Sequence, residues 1–553
     1  MRFFHKPPFR VFGPLAFACL LTAGCSQYAS ISERRPIFPA SIGRGDLAKR
    51  LKTALHLQKR QPTESLGPLL LEAKNAARIL ETDPENQSAR DTYNFALARV
   101  VETLQHAKLA PWSSPLRIPV NGGDLILTAK KDPRPGWNPS LYKFAPADQF
   151  DVRGKYVTER STKAGIGAPL VAIGREKNSR ARKDFALSHI FYGVTAVMRF
   201  RGQTAELAFE DPLATETVSF HGHRLPLAAD FTVPLAVMLQ QAEPKKFELS
   251  RMLRPAKFAE TARISRLQPY DPEKTVVLVI HGLMDTPATW TPLINHLRAD
   301  ETIRRQFQFW FYSYPSGYPY PYSAAILRRE LDAVQKKYPL RKPMVVIGHS
   351  MGGCISRLLI TDPGQELWKK ILGRPVAKTS LAGSTRDILV ESLIFKTRQE
   401  VGRVIFIAAP LRGSDLATHW IGRIGSSLIQ PPQLLLQAGY DAMSLATFQS
   451  DDLRLRRMPN SIDNLAPNNR FVRAINTIPM NSRIPVHVIS GDRGIGGNPD
   501  KTRPVMSDGI VPYWSSYIPS AVSEKIVTSD HAAHQNSQAI EEIARILKTH
   551  SNH

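Results

Sequence analysis

Two uninterrupted apolar runs constrain this chain more than any other feature. Thr275-Val276-Val277-Leu278-Val279-Ile280 ends in His281-Gly282-Leu283-Met284, and Met344-Val345-Val346-Ile347 leads into Gly348-His349-Ser350-Met351-Gly352-Gly353. A strand with one wet face alternates apolar and polar residues; runs without alternation belong to a sheet covered on both faces, as parallel sheets are. Further runs at 404–408 and 486–490 follow helix-compatible stretches. Strands alternating with helices give an α/β fold class with a mostly parallel sheet.

The Gly-x-Ser-x-Gly pattern is weak evidence by itself, but its setting is not. A strand that turns tightly into the helix-compatible Cys354-Ile355-Ser356-Arg357-Leu358-Leu359 puts Ser350 on a strained elbow, with Gly348 and Gly352 leaving room where two backbones approach. The helix start then aims the Met351 N–H at a developing oxyanion. A serine hydroxyl needs a base, and the base needs an acid to fix its tautomer. In chain order Ser, acid, His, both partners lie downstream. Asp508, in Ser507-Asp508-Gly509-Ile510-Val511-Pro512, is the favoured acid, with Asp492 as its rival directly after a strand. His531, in Ser529-Asp530-His531-Ala532-Ala533-His534, is the favoured base because it leaves the last strand first, with His534 as its rival.

His281-Gly282, the 348–353 elbow, Phe406-Ile407-Ala408-Ala409-Pro410-Leu411-Arg412-Gly413-Ser414, Ser461-Ile462-Asp463-Asn464-Leu465 and 507–512 together resemble bacterial α/β-hydrolases similar to lipases and to the GPI-inositol-deacylase group. The resemblance covers 265–550. It implies an α/β-hydrolase fold, serine esterase or lipase chemistry on an ester or lipid substrate, and no cofactor or metal. It also implies a Ser350–Asp508–His531 triad with an oxyanion hole from the N–H groups of Leu283 and Met351. Leu411 stands where such proteins usually carry His, which bears on subfamily. His281 and His349 read as structural. An insertion at about 411–460, apolar between Trp420 and Phe448, reads as a cap over the pocket. An acyltransferase with the same triad and a non-catalytic partner-binding lipoprotein are the rival functions.

Ahead of this domain, Arg2, Lys6 and Arg10 precede an apolar stretch at 11–21 and then Leu21-Thr22-Ala23-Gly24-Cys25. The pattern reads as an export signal over 1–24, and it resembles a lipobox with Cys25 as the acylated residue. That predicts a lipid-anchored protein on a bacterial membrane, with Ser26 compatible with the outer one. The apolar stretch is shorter than the roughly 20 residues that span a bilayer. Residues 25–45 read as a tether. Helical spacing recurs over 46–110, in Leu47, Leu51, Ala54 and Leu55, then Leu69, Leu70, Ala73, Ala76, Ala77 and Leu80, then Tyr93, Ala96, Val100 and Leu104. A partner protein for this region is unidentified. Short alternating segments over 116–255 predict a separate β-rich domain of unknown role, a sandwich in form, and the His221-Gly222-His223 turn lacks further metal ligands at suitable spacing.

The 553 residues carry 73 Lys and Arg against 48 Asp and Glu, a formal net charge of +25. The densest basic stretch, 175–183, is short and interrupted by Glu176, so it reads as a solvated loop and no nucleic-acid partner is expected. Of the three cysteines, Cys19 falls in the signal and Cys25 is acylated, which leaves Cys354 without a disulfide partner.

Overall fold

A computed structural model of the chain describes residues 30–550 except 44, 133, 135–136, 158, 175–190, 243–249, 379–380, 382, 416–434, 436, 439–460 and 495–506. The signal, Cys25, the basic stretch and nearly all of the cap insertion lie outside the described residues.

The N-terminal half is one packed unit. Helices α1 (Asp46–Arg60), α2 (Pro62–Thr82) and α3 (Gln87–His106) are separated where sequence chemistry requires it. Pro62 starts α2, and the Asn86 side chain caps α3 by accepting the Ala89 N–H at 3.0 Å. Their apolar stripes cover a six-stranded sheet of β1 (Leu116–Val120), β2 (Gly123–Ala129), β3 (Tyr142–Pro146), β4 (Ala168–Gly174), β5 (Phe191–Arg201) and β6 (Thr204–Glu210), in the order β1-β2-β6-β5-β4-β3. Leu51, Leu70, Ala77, Val100 and Leu104 share one core with Leu125, Leu127, Phe144, Leu170 and Val197. Tyr93 on α3 fastens the layers, its hydroxyl donating to the Met198 carbonyl and accepting the Met198 N–H, both at 2.7 Å.

Two expectations are corrected here. The helical and β-rich regions are not separate and the sheet is not half of a sandwich. An amphipathic helix and a sheet each need a partner for their apolar face, and here they supply it to one another. The supposed tether is also packed, from residue 30 on: Ser30–Glu33 pairs antiparallel with Phe150–Arg153, and Ile42 is buried in the shared core.

The C-terminal half is built on a seven-stranded sheet of β7 (Arg263–Arg266), β8 (Thr275–Ile280), β9 (Phe307–Ser313), β10 (Met344–His349), β11 (Val401–Ile407), β12 (Val486–Asp492) and β13 (Ser523–Thr528). Its order is β7-β9-β8-β10-β11-β12-β13, and only β7 runs antiparallel to its neighbour. β8 shows why its sequence does not alternate. Val276, Leu278 and Ile280 face a core with Leu327 and Leu331, whereas Val277 and Val279 face another with Leu293, Leu297, Ile540 and Ile543.

Helix α4 (Thr232–Ala242) joins the halves. Val233 and Val237 pack on Val171 of β4, while Leu235 enters the core that holds Val277 and Val279. Thr232 Oγ1 donates to Asn295 Oδ1 at 2.7 Å in helix α5 (Thr291–Ala299), and Lys274 Nζ reaches the Leu213 carbonyl at 2.5 Å. Glu216 receives both arms of Arg304, at 2.9 and 3.0 Å, and also pairs with Lys163.

Arg304 is buried, so Glu216→Gln should strand its guanidinium and cost about 2 kcal/mol of stability by scanning calorimetry. Burial alone would raise the Glu216 carboxyl, but Arg304 and Lys163 hold it below its ordinary value. A carboxylate depressed on folding stabilises above its unfolded value of about 4.3 and loses that contribution as pH falls through the folded one. The gap between wild type and variant should therefore be full at neutral pH and close on acidification.

Candidate active site

Helix α6 is Tyr320–Lys337. Ser350 sits between β10 and helix α7 (Met351–Arg357), with φ 53° and ψ −125°. A serine takes this backbone only when its surroundings enforce it. Its N–H is held by the Ile407 carbonyl at 2.9 Å, across the neighbouring strand. Gly348 and Gly352 supply the clearance. A Cβ on Gly348 would lie 2.5 Å from the Gly352 carbonyl oxygen, and one on Gly352 would lie 2.3 Å from the oxygen of Ile280.

The structure brings Ser350, His531 and Asp508 together. His531 Nε2 is 2.8 Å from Ser350 Oγ, and His531 Nδ1 is 2.7 Å from Asp508 Oδ2. Asp508 Oδ1 accepts the N–H groups of Ile510 at 2.8 Å and Val511 at 2.7 Å. Burial pushes the Asp508 carboxyl up, yet His531 and those two N–H groups together hold it below its ordinary value. The carboxylate is therefore ionised, which fixes the proton of His531 on Nδ1 and leaves Nε2 to accept from the serine hydroxyl.

The rivals lie elsewhere. Asp492 turns its Oδ1 to the Gly494 N–H at 3.1 Å, and His534 is buried behind the site with its ring 4.8 Å from Trp290 and 4.1 Å from His349. Burial drives His534 well below the usual histidine range. Cys354, one turn beyond the serine, is buried, and burial pushes its thiol up to about 12, so it carries no thiolate chemistry.

Leu283 and Met351 flank the serine from two segments. Gly282 packs so closely that a Cβ there would lie 2.9 Å from Ser350 Cβ, which places the following Leu283 N–H beside the elbow. Neither the Leu283 nor the Met351 N–H has an acceptor among the described residues. His281 steadies this loop. Its Nδ1 faces the Gly282 carbonyl at 2.9 Å, its Nε2 accepts the Tyr314 N–H at 3.3 Å, and burial lowers it to about 4, so the ring is neutral. His349 donates from Nε2 to the His531 carbonyl at 2.7 Å. Leu411 is buried and carries no polar function in the site. Sequence reasoning missed Asp285, a half-buried acid whose buried Oδ2 lies 3.7 Å from His349 Nδ1; its one signal was its position four residues beyond His281.

Residues 276–546 match the profile of the alpha/beta hydrolase family, and the seven-stranded domain has the α/β-hydrolase fold. Among solved structures, a Bacillus licheniformis lipase in its mature form is similar at 15% identity and a TM-score of 0.31, over 52% of this chain and 98% of the lipase. A metagenomic carboxyl esterase is similar at 14% identity and a TM-score of 0.26, over 55% and 91%. A thermostable carboxyl esterase from Bacillus coagulans is similar at 14% and 0.28, over 52% and 93%. Comparison with curated proteins gives no match.

If the elbow depends on backbone clearance, Gly352→Ala should destabilise the domain by about 3 kcal/mol, because the added methyl meets main-chain oxygens that cannot move aside. Chemical denaturation followed by tryptophan fluorescence measures this, and an unchanged midpoint would contradict the packing argument.

Proposed function

We propose that the α/β-hydrolase domain is a serine hydrolase that cleaves carboxylic esters through an acyl-enzyme, with Ser350 as nucleophile, His531 as base and Asp508 as its orienting acid. The observation that carries this reading is the continuous Asp508–His531–Ser350 hydrogen-bond chain. Ser350 Oγ attacks the ester carbonyl carbon as His531 Nε2 takes its proton; Asp508 stabilises the resulting imidazolium. The carbonyl oxygen becomes an oxyanion, for which the free N–H groups of Leu283 and Met351 are the donors. His531 then gives its proton to the departing alkoxide. Water, deprotonated by the same base, releases the acid and restores Ser350.

We place this chemistry at a membrane, with lipid esters among its substrates. The support is in the sequence: the basic and apolar leader, the Leu21-Thr22-Ala23-Gly24-Cys25 motif with its acylatable thiol, and the net charge of +25, which favours anionic headgroups. No helix among the described residues is long and apolar enough to cross a membrane. The anchor assigned here, from the sequence motif, is a lipid on Cys25. The resemblance to the GPI-inositol-deacylase group belongs to this same reading of lipid-linked esters.

Ser350→Ala should lower turnover of p-nitrophenyl butyrate by about 10⁴-fold or more and abolish labelling by a fluorophosphonate, with the melting temperature retained. Asp508→Asn should cost about 10⁴-fold in kcat by leaving His531 in the wrong tautomer. Full turnover in the serine variant would overturn the assignment. The anchor has its own check: a Cys25→Ser chain should move from the membrane fraction to the released fraction, and identical fractionation would refute it.

A further inference from the structure

Behind the serine elbow, three buried polar atoms have no hydrogen-bond partner: Oδ2 of Asp285, Nδ1 of His349 and Nδ1 of His534. The three residues come from segments distant in sequence, yet one ligand-type atom from each lies within 4.8 Å of the others, and Asp285 Oδ2 is 3.7 Å from His349 Nδ1. The two rings are 5% and 2% exposed, so bulk solvent does not reach them. Each orphan's companion atom, by contrast, is held. Asp285 Oδ1 accepts the Thr286 N–H at 2.7 Å, His349 Nε2 donates to the His531 carbonyl at 2.7 Å, and His534 Nε2 lies 3.2 Å from the Gln535 amide nitrogen.

The protonation of His349 follows from its partner. A carbonyl oxygen only accepts, so the neutral ring carries its proton on Nε2 and turns the Nδ1 lone pair towards the Asp285 carboxylate. That lone pair and the carboxylate oxygen repel one another unless a positive centre lies between them.

We propose that Asp285, His349 and His534 form a binding site for a divalent cation of the zinc class. Imidazole nitrogens and a carboxylate oxygen are the ligands that such ions take, and a ligating histidine typically donates its other ring N–H to a carbonyl or amide, as His349 does here. For His534 the equivalent is the Gln535 amide turned with its oxygen to the ring. Bonds of about 2.0–2.2 Å put tetrahedral ligand atoms about 3.3 Å apart, so binding draws the widest pair inward by about 1.5 Å. Three protein ligands leave the fourth position to water. The site departs from the sequence expectation of no metal.

The ion would tie together the loop that carries Leu283, the elbow that carries Ser350 and, through the His349 bond, the His531 loop. Its ligands are positioning residues, and the site stands whether or not Ser350 is a nucleophile. The test uses the full chain, stripped with a chelator and titrated with cobalt(II) alone. One equivalent should produce the visible ligand-field bands of a four-coordinate site, zinc should displace them, and zinc should raise the melting temperature of the wild type. Asp285→Asn and His534→Ala should each weaken cobalt binding by at least about 100-fold. A wild type with neither bands nor a zinc-dependent melting shift overturns the proposal, and so do cooperatively unfolding variants that bind cobalt as tightly; a proton shared between Asp285 and His349 would then account for the cluster.

Discussion

The bond from the Ser350 N–H to the Ile407 carbonyl is the contact on which the rest of the site depends. It pins a residue at φ 53° to the adjacent strand and so turns the chain from β10 into α7 with the hydroxyl presented at the C-terminal end of the central strand. The cost of that backbone is met by burial of β8, β10 and β11 on both faces, which leaves no freedom for the turn to relax. Close approach at Gly348 and Gly352 then follows, since any side chain would separate the helix from the strands that hold it.

What was legible in the sequence was what short range encodes. The runs in β8 and β10 lack alternation because both faces are buried, and that single fact reveals a covered parallel sheet. The elbow is legible because strand, Gly-x-Ser-x-Gly and helix are contiguous. The N-terminal unit was not legible as one body. Its β2 pairs in parallel with β6 across more than seventy residues, and its helices find their partner face on strands that follow them. Periodicity shows that a face is apolar, but not which face will cover it. The segment from residue 30 was misread for the same reason: Ser30–Glu33 owes its strand to Phe150–Arg153, far along the chain.

Asp285 shows the same limit inside the site. Beyond its place four residues after His281, nothing about a single acid in a loop of mixed residues announces that it will meet two histidines contributed by other segments. His531 and His534 were also hard to rank, being three residues apart in one loop. What separates them is direction: His531, three residues beyond the end of β13, reaches Ser350, whereas the turn that follows carries His534 inward against Trp290.

The catalytic candidates divide accordingly between local and distant encoding. Asp508 is prepared within its own turn. Ser507 Oγ accepts the Gly509 N–H at 2.9 Å and donates to the Val511 carbonyl at 3.1 Å, while the Ile510 and Val511 N–H groups converge on one carboxylate oxygen. Four hydrogen bonds inside five residues thus aim the acid and favour its charge before any distant partner arrives. Ser350 sits between a contiguous strand and helix, with its N–H pinned to Ile407 of the neighbouring strand. His531 alone has to be delivered from elsewhere, by the pairing of β12 with β13, and its reach to both partners is therefore the step that makes two prefabricated pieces into one site. A network assembled in that way is sensitive to anything that shifts the His531 loop, which is why its carbonyl is fastened to His349, the residue next to the serine itself.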